Sequence, residues 1–292
     1  MDILKANTRY FMQKLFGIKN YPFWNNPVFV VGMGRSGTTV LCRALEQHPS
    51  VLASRIESIL VHQLGNILYN YISREAHPSN ILLEEEAFKK HIMELCLKAT
   101  FGEQYGLSYH ILNQSNTSII SCKNKIKVWL AKVFPDKNSA DGLNWLYPNS
   151  KYIYIHRNGI DVVYSMGNFR SFKSLSFKEH CELWNKGALQ YHYLIEDDKA
   201  IVVKHQDMVE NSAAVLNKII SFLKLEPNEG AAEYAASTLV RPLDKTVELA
   251  VDAKTTFQNR EPAHQKWSNQ QKETFKNHCS ESMEMLGYEI PF

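Results

Sequence analysis

The sequence predicts an α/β protein with a P-loop-like, three-layer fold, in which helices flank a central parallel sheet. Three observations support this fold class. Short apolar runs typical of buried strands occur at residues 28–31, 51–53, 151–156 and 200–204, and helical patterns separate them. A glycine-rich turn directly follows the first run. Hydrophobic residues make up 45% of the 292 residues and charged residues 22%, a composition that supports a sizeable core.

Helical spacing of apolar residues predicts the elements between and after these strands, and no linker or internal repeat divides the chain. We therefore expect one domain over residues 1–292. Residues 75–148 have the weakest pattern, a charged helical stretch followed by Ser- and Asn-bearing turns, and are predicted to form an insertion. The helices are expected near residues 37–47, 57–73, 84–99, 159–167, 177–196, 211–223 and 270–286.

The first strand, its turn and the helix start have the sequence VFVVGMGRSGTTVL over residues 28–41. Together they form a cradle for a phosphate group, because glycine lets the backbone approach closely and the first helical N–H groups point at the anion. Gly32 and Gly37 have P-loop spacing, but Thr38 stands where a P-loop NTPase carries lysine. The basic residue of the loop is Arg35. The loop is therefore predicted to bind an anionic group without the NTPase lysine.

A second strand–turn–helix unit covers residues 151–168, with the sequence KYIYIHRNGIDVVYSMGN. Arg157 ends the strand, Asn158 and Gly159 turn the chain, and Ser165 lies eight positions after Arg157. Eight residues make about two helical turns. The Arg157 and Ser165 side chains are therefore expected to contact the same phosphate group.

These two units resemble those of the sulfotransferases that use 3′-phosphoadenosine 5′-phosphosulfate (PAPS) as the sulfuryl donor. The G-R-S-G-T-T loop, and the R-A-L and H-P segments after it, are most similar to protein-tyrosine and bacterial carbohydrate sulfotransferases. The resemblance runs from about residue 27 to the C-terminus. It implies that Arg157 and Ser165 bind the 3′-phosphate of PAPS. The residues that it implies for the 5′-phosphosulfate are Gly34, Arg35, Ser36, Gly37, Thr38 and Thr39.

The resemblance also implies a contact to the adenine ring. Residues 200–225 are similar to the family's strand–Tyr-Glu-Asp–helix unit, in which the segment after the strand helps to form the adenine pocket. This chain has His-Gln-Asp at that place, beginning with His205. We therefore expect the His205 ring to take the adenine contact.

Two basic residues are further candidates for the donor phosphates. Lys266, which precedes Trp267, resembles the lysine of the family's Lys-Trp loop, and residues 283–288 resemble its closing Leu-Gly-Tyr helix. Arg170 follows the Ser165 helix, where the family often has a basic residue. A solvated surface charge is the alternative for both side chains.

Sulfuryl transfer in line from PAPS to a hydroxyl needs a base for the acceptor proton and a cation for the leaving oxygen. Arg35 is the candidate for this cation. Glu57 is the candidate base, because the resemblance places a glutamate after the loop helix and the next short strand. Glu57 follows Arg35 by 22 positions and is expected to open the second helix. The alternatives are that Glu57 caps this helix beside Ser54 and that His62 is the base.

The family places a second catalytic cation in a Lys-x-Pro segment before the 3′-phosphate strand. Lys132 lies in a similar segment, with one residue more before Pro135 and 25 positions before Arg157. Lys123 and Lys125 are the alternatives. No metal is expected, because positioned cations can offset the developing charge.

The acceptor is expected to be a carbohydrate, a small alcohol or a tyrosine. Residues 75–148 would form its pocket or, alternatively, a surface for a second subunit. The net charge of only +3 argues against a general nucleic-acid binder. Two other functions stay open. One is a P-loop kinase or NTPase, which would carry lysine after Gly37 and an Asp for Mg²⁺, and the other is a relative that binds the nucleotide without catalysis.

Cysteine usage and the N-terminus bear on the cellular compartment. The five cysteines are scattered and form no Cys-x-x-Cys pair, which predicts reduced thiols and neither disulfides nor a zinc site. The first 20 residues lack the apolar stretch of a signal peptide, and no segment reaches 18 apolar residues. We therefore predict a cytoplasmic protein without a membrane span.

Overall fold

The computed structural model describes residues 22–73, 85–113, 125–239 and 262–292, and its centre is a five-stranded parallel sheet. The strands follow the order β2–β3–β1–β4–β5 across the sheet, and each neighbouring pair is parallel. Packed helices bury both faces, which confirms the predicted fold class. The strands are β1 Pro27–Val31, β2 Val51–Glu57, β3 Val128–Lys132, β4 Lys151–His156 and β5 Ala200–Lys204.

Strand β3 was not predicted from the sequence, although it lies between β1 and β2. Its apolar run is only four residues long and stands between Lys127 and Lys132, so it resembles a surface segment. The structure buries all five strand residues, Lys132 included. Part of the predicted insertion, residues 75–148, therefore belongs to the central sheet. That this range shapes an acceptor pocket, and that residues 1–292 form one domain, stay predictions.

The α-helices of the described ranges are α1 Thr38–Glu46, α2 Ile59–Ser73, α3 Glu85–Asn113, α4 Lys137–Leu146, α5 Gly159–Gly167, α6 Phe177–Gln190, α7 His205–Glu210, α8 Ser212–Phe222, α9 Glu229–Leu239 and α10 Asn269–Met285. Helices α4, α7 and α9 were not predicted. The helix expected over 177–196 ends at Gln190, and a 3₁₀ turn over His192–Leu194 follows it. The helix expected over 57–73 begins at Ile59, because strand β2 extends to Glu57.

Side-chain caps determine where two helices begin after the strands. The Asp136 carboxylate accepts a 2.8 Å hydrogen bond from the Ser139 N–H at the start of α4. The Asn158 side chain accepts a 2.9 Å hydrogen bond from the Ile160 N–H at the start of α5. Each such cap contributes about 1 kcal/mol. Both caps follow the carboxyl end of a strand, so they direct the chain away from the same edge of the sheet.

The two faces of the sheet bury different side chains, because successive strand residues point to opposite faces. One face is aromatic: the Phe29 ring centroid lies 5.9 Å from that of Trp129 and 5.5 Å from that of Tyr152. The other face is aliphatic and includes Val28, Val30, Leu130, Ile153 and Ile155. Burial on both faces is typical of parallel sheets and holds the strand ends in place.

Helices α2 and α4 pack with their backbones in close contact. A Cβ atom added at Gly142 of α4 would collide with the carbonyl oxygen of Gly65 in α2. The Ser139 hydroxyl of α4 donates a 2.9 Å hydrogen bond to the His62 carbonyl oxygen of α2. These contacts fix the position of α2 relative to the sheet.

Candidate functional site

The carboxyl ends of the five parallel strands meet at one edge of the sheet. After β1 the chain builds β2 and β3 on one side of β1, and later β4 and β5 on the other. Open α/β sheets bind ligands at such a reversal of strand order. The candidate residues at this edge are the loop after β1, Glu57 at the end of β2, Lys132 at the end of β3, Arg157 after β4 and His205 after β5.

The loop after β1 leaves the start of helix α1 open to an anion. Gly37 has φ of +98° and Arg35 has φ of 72°, both in the left-handed region. Among the described residues, no side chain caps helix α1 at Gly37. The first N–H groups of a helix have no acceptor within the helix, so they are available to a phosphate oxygen. The backbone therefore has the geometry that the predicted cradle needs, and phosphate binding there stays a prediction.

Arg35 joins the loop to helix α5. Its Nε donates a 3.1 Å hydrogen bond to the Ser165 hydroxyl, and its guanidinium carbon lies 3.9 Å from the Phe169 ring centroid. A guanidinium over an aromatic face is attracted by the ring and keeps its charge. The structure thus places Ser165 beside the loop arginine, at the junction of the two predicted phosphate sites.

Arg157 also contacts the loop. Its Nη1 donates a 3.3 Å hydrogen bond to the Arg35 carbonyl oxygen, and its Nε lies 3.6 Å from the Asp161 carboxylate. The Arg157 side chain is largely buried, with 19% of its surface exposed. Two arginines from different motifs therefore come together at the edge of β1 and β4, where the Asp161 carboxylate offsets part of their charge.

His205 packs directly against the loop glycine. A Cβ atom added at Gly37 would lie 2.7 Å from His205 Cδ2. Burial, and then the charge of Arg157, lower the pKa of His205 to about 3. The imidazole is therefore uncharged at neutral pH, as a ring that stacks on a base would be. Its place beside Gly37 shows that it also limits the shape of the loop, which the sequence did not indicate.

A contact between Tyr288 and His156 was missed by the sequence analysis. The Tyr288 hydroxyl lies 3.0 Å from His156 Nδ1. Burial, and then the charge of Lys204, lower the pKa of His156 to about 4, so the ring that shares this hydrogen bond with Tyr288 is neutral at neutral pH. The Lys204 ammonium lies 5.5 Å from the Tyr288 ring centroid. Tyr288 thereby holds His156, the strand residue before Arg157, in place. The resemblance of residues 283–288 to the family's closing helix was the sequence signal that could have indicated this contact.

Lys266 and Arg170 lie at the rim of this region. The Lys266 ammonium is exposed and lies 5.8 Å from the ring centroid of Tyr164, the neighbour of Ser165. The adjacent Trp267 is buried, and its ring centroid lies 5.0 Å from that of Phe177. Arg170 is exposed at the start of a 3₁₀ turn. Their proposed contacts to donor phosphates stay predictions.

Glu57 and Lys132 form a pair on the other side of the loop. Lys132 Nζ lies 3.8 Å from the Glu57 carboxylate and donates a 3.3 Å hydrogen bond to the Thr39 hydroxyl. The Lys132 side chain is 9% exposed and that of Glu57 is 53% exposed. Glu57 is the last residue of β2 and does not open a helix, because the strand pairing continues to Glu57 opposite Lys132. A half-exposed carboxylate remains accessible to an acceptor, and its ion pair contributes about 0–1 kcal/mol.

The alternative residues occupy different places. His62 lies one turn into α2, and burial lowers its pKa although the Asp136 charge raises it in part. Lys125 is exposed and precedes the amino end of β3, so it lies at the opposite edge of the sheet from Lys132. Lys123 lies outside the described residues. Position therefore favours Lys132 as the second cation.

Tyr191 is a further residue near Glu57 that the sequence did not indicate. It caps the end of helix α6 and is 3% exposed. Burial, and then the charge of Glu57, raise the pKa of the Tyr191 phenol. The phenol is therefore protonated at neutral pH beside the candidate base.

Within the described ranges, no cluster of three or more His, Cys, Asp or Glu residues has the arrangement of a metal site. No helix found there combines the length and the apolar character needed to cross a membrane.

The fold and this edge define an α/β protein with an open helix N-terminus and two arginines at the carboxyl ends of a parallel sheet. Residues 27–229 match the model of the sulfotransferase family, which is well over half of the chain. The chain belongs to the sulfotransferase family. The resemblance drawn from the two phosphate motifs is thereby confirmed at the level of the family, whose members are transferases.

Individual relatives are more distant. The chain is 22% identical over 214 residues to a protein-tyrosine sulfotransferase of Drosophila melanogaster, which covers 71% of this chain. This chain spans only 40% of the length of that relative. Among solved structures it is similar to the sulfotransferase domain of the Synechococcus PCC 7002 olefin synthase, with a TM-score of 0.49 and 16% identity over 91% of this chain and 96% of that one. The mouse sulfotransferase SULT7A1 complexed with PAP has a TM-score of 0.48 and 15% identity, covering 89% of this chain and 84% of that one.

Proposed function

We propose that the protein transfers the sulfuryl group of PAPS to an acceptor hydroxyl by in-line displacement. The acceptor would be a carbohydrate, a small alcohol or a tyrosine. The observation that carries the proposal is the position of Lys132, whose ammonium contacts both Thr39, in the first turn of α1, and the carboxylate of Glu57. One cation thus joins the candidate donor cradle to the candidate base, as a transfer between two substrates requires.

The donor fits the charges on the β1–β4 side. The open N-terminus of α1 and the Arg35 side chain would bind the 5′-phosphosulfate. Arg157 and Ser165 would bind the 3′-phosphate, and the uncharged His205 ring would contact the adenine. In the structure Arg35 and Ser165 are joined by a hydrogen bond, so the nucleotide would insert its phosphates beside this pair.

The reaction would proceed with Glu57 as the base. The acceptor oxygen forms a bond to sulfur while the bridging bond between sulfur and the phosphate oxygen breaks. The electron pair stays on that oxygen, where Arg35 and Lys132 offset the charge, and the acceptor proton passes to the Glu57 carboxylate. The products are a sulfate ester, a proton and 3′,5′-adenosine bisphosphate (PAP).

We also propose a cytoplasmic location. Cys42, Cys96, Cys181 and Cys279 are buried free thiols, as in proteins of a reducing compartment. Cys122 lies outside the described residues. Counting reactive thiols in the denatured protein, after purification without reductant, tests this location. Five thiols are expected, and fewer would point to an oxidising compartment.

Calorimetric titration tests the donor site. We expect PAP to bind with micromolar affinity, and ATP with Mg²⁺ to bind far more weakly. Arg157→Ala removes a charged hydrogen-bond donor and should weaken PAP binding about 10-fold to 100-fold. Tight binding of ATP with Mg²⁺ and none of PAP would identify a nucleotide kinase or NTPase instead.

A pair of lysine variants tests the position that carries the proposal. Lys132→Ala should lower kcat at least about 100-fold, the scale of one lost transition-state donor. Lys125→Ala removes the same charge at the opposite edge of the sheet and should leave kcat unchanged. Equal effects of the two variants would contradict a specific role for Lys132.

A further inference from the structure

Helix α2 follows the candidate base directly and carries no charge. Residues 58–73 contain no Asp, Glu, Lys or Arg. Their one titratable imidazole, His62, has a pKa lowered by burial. Helix α2 itself therefore adds no charge next to Glu57, and Asp136, before α4, is the charged group that acts on His62.

The exposed face of α2 is apolar. Ile59 is 61% exposed, Leu60 41% and Ile67 61%. With 3.6 residues per turn, these three side chains lie within about 100° of one another around the helix axis, and they extend about 12 Å along it. We call Ile59, Leu60 and Ile67 the apolar stripe. Exposed apolar side chains that adjoin one another mark binding surfaces.

Two buried polar atoms belong to residues at the start of α2, next to Glu57 in the sequence. Ser58 is 7% exposed, and neither its hydroxyl nor Nδ1 of His62 has a hydrogen-bond partner among the described residues. Residues 58 and 62 are one turn apart, and Ser58 is the residue after Glu57. Buried polar atoms are nearly always paired in proteins, so an unpaired set beside a candidate base indicates a place for a ligand group.

We propose that the apolar stripe binds the body of the acceptor, and that the acceptor is an uncharged alcohol with an extended hydrocarbon part. Its hydroxyl lies beside Glu57, with Ser58 and His62 as hydrogen-bond partners, and its hydrocarbon part lies along Ile59, Leu60 and Ile67. This proposal rests on the proposed sulfuryl transfer and selects one acceptor class from the three.

The other two acceptor classes fit this surface poorly. A tyrosine in an acidic peptide would require cations along the surface that follows Glu57, and residues 58–73 supply none. A sugar would require several polar partners, and the exposed polar side chains on the stripe's side of the helix are Gln63 and Asn70. The stripe begins two residues after Glu57, and this adjacency favours the acceptor over a second protein copy as its occupant.

A series of primary alcohols tests the proposal with the full chain and PAPS. The reaction is R–OH + PAPS → R–OSO₃⁻ + PAP + H⁺. From butan-1-ol to decan-1-ol, kcat/KM should rise up to about fourfold for each methylene that the stripe buries. Glucose and an acidic tyrosine peptide should be slower than decan-1-ol.

Two isoleucine variants provide a matched comparison. Ile67→Ser removes the far end of the apolar stripe and should lower kcat/KM for decan-1-ol about 10-fold, with butan-1-ol unchanged. Ile72, which is 37% exposed, lies on a different side of the same helix. Ile72→Ser should leave both alcohols unchanged. Both sites are exposed, so neither variant should impair folding.

The outcomes separate this inference from the proposed function. Faster transfer to the peptide or to glucose, or no dependence on chain length, overturns the inference and leaves sulfuryl transfer standing. PAP binding without turnover of any alcohol also overturns it. A dimer that Ile67→Ser dissociates, with alcohol kinetics unchanged, assigns the stripe to a second copy. Absence of both PAP binding and turnover overturns the proposed function together with this inference.

Discussion

The two sides of the strand edge differ in how they are built. On the β1–β4 side, Arg35 donates a hydrogen bond to the Ser165 hydroxyl and accepts one from Arg157 through its carbonyl oxygen. The side chains on this side are mainly charged. On the β2–β3 side, a half-exposed Glu57 adjoins a helix without charge. Lys132 lies between them and contacts both. Under the proposed function, fixed charges bind the constant anionic donor, and an uncharged apolar surface selects the acceptor.

The largest difference between an effect on turnover and an effect on PAP binding should come from Glu57→Gln. The amide cannot take the acceptor proton, so kcat should fall about 10²-fold to 10⁴-fold. PAP affinity, measured by calorimetry, should stay within twofold because the donor contacts lie elsewhere. Unchanged turnover would exclude Glu57 as the base, and a large loss of PAP affinity would break the division between the sides.

Gly37→Ala should act on the donor side alone. Its φ of +98° and its contact with His205 oppose a side chain, at a cost of about 1–3 kcal/mol. PAP affinity should therefore fall roughly 10-fold or more. Gly167→Ala is the matched control, because a Cβ atom there meets its nearest neighbour, His180, at an ordinary 3.9 Å. Urea unfolding of both variants separates loop distortion from general instability, and equal PAP affinities would contradict the prediction.

Acid should weaken the donor side through its two buried histidines. The pKa of His156 is lowered to about 4 and that of His205 to about 3, against about 6.5 in an unfolded chain. Below pH 6.5 the unfolded chain binds protons that the folded one does not, so stability is complete above pH 6.5 and falls towards pH 4. At pH 5 the loss is about 2 kcal/mol for each ring.

The variant His156→Asn tests this dependence, since the asparagine amide can still donate a hydrogen bond to the Tyr288 hydroxyl or accept one from it. The difference in unfolding free energy between pH 7 and pH 5, from urea titrations, should shrink by about 2 kcal/mol. An unaltered difference would mean that the His156 ring is accessible to protons in the folded protein.

The smallest effect is expected for Tyr288→Phe. It removes one hydrogen bond to His156, worth about 0.5–1.5 kcal/mol, and should weaken PAP binding about threefold to tenfold. Binding of AMP, which lacks the 3′-phosphate, should be unchanged because Tyr288 acts through the strand end before Arg157. Equal losses for PAP and AMP would show a general structural role.

The local structure of the β1–β4 side was largely predictable from the sequence. Glycine spacing, Arg35 and the Arg157–Ser165 interval are local patterns, and each specifies its own strand, turn and helix. The Arg35–Ser165 bond was not predictable, because it joins residues 130 positions apart and depends on β1 and β4 being neighbours.

The acceptor side was harder to predict. Strand β3 is short and flanked by lysines, so its burial depends on tertiary packing that propensity does not contain. The family resemblance indicates Glu57 as the base, but the prediction that Glu57 opens a helix was wrong. Pairing with β3 extends β2 by four residues beyond Ala53, to Glu57. Exposure along α2 also could not be predicted, since its apolar residues suit a buried helix equally well.

The close glycine contact between α2 and α4 has a consequence for protein engineering. Because Gly65 and Gly142 set the axis of α2 from its buried side, the outer positions 59, 60, 63 and 67 can be randomised without moving that axis. Under the proposed acceptor role of the stripe, a combinatorial library at those four codons would explore new acceptors without altering the residues proposed to bind the nucleotide. The same two glycines would have to be excluded from mutagenesis, since any larger residue there would displace the whole surface under selection.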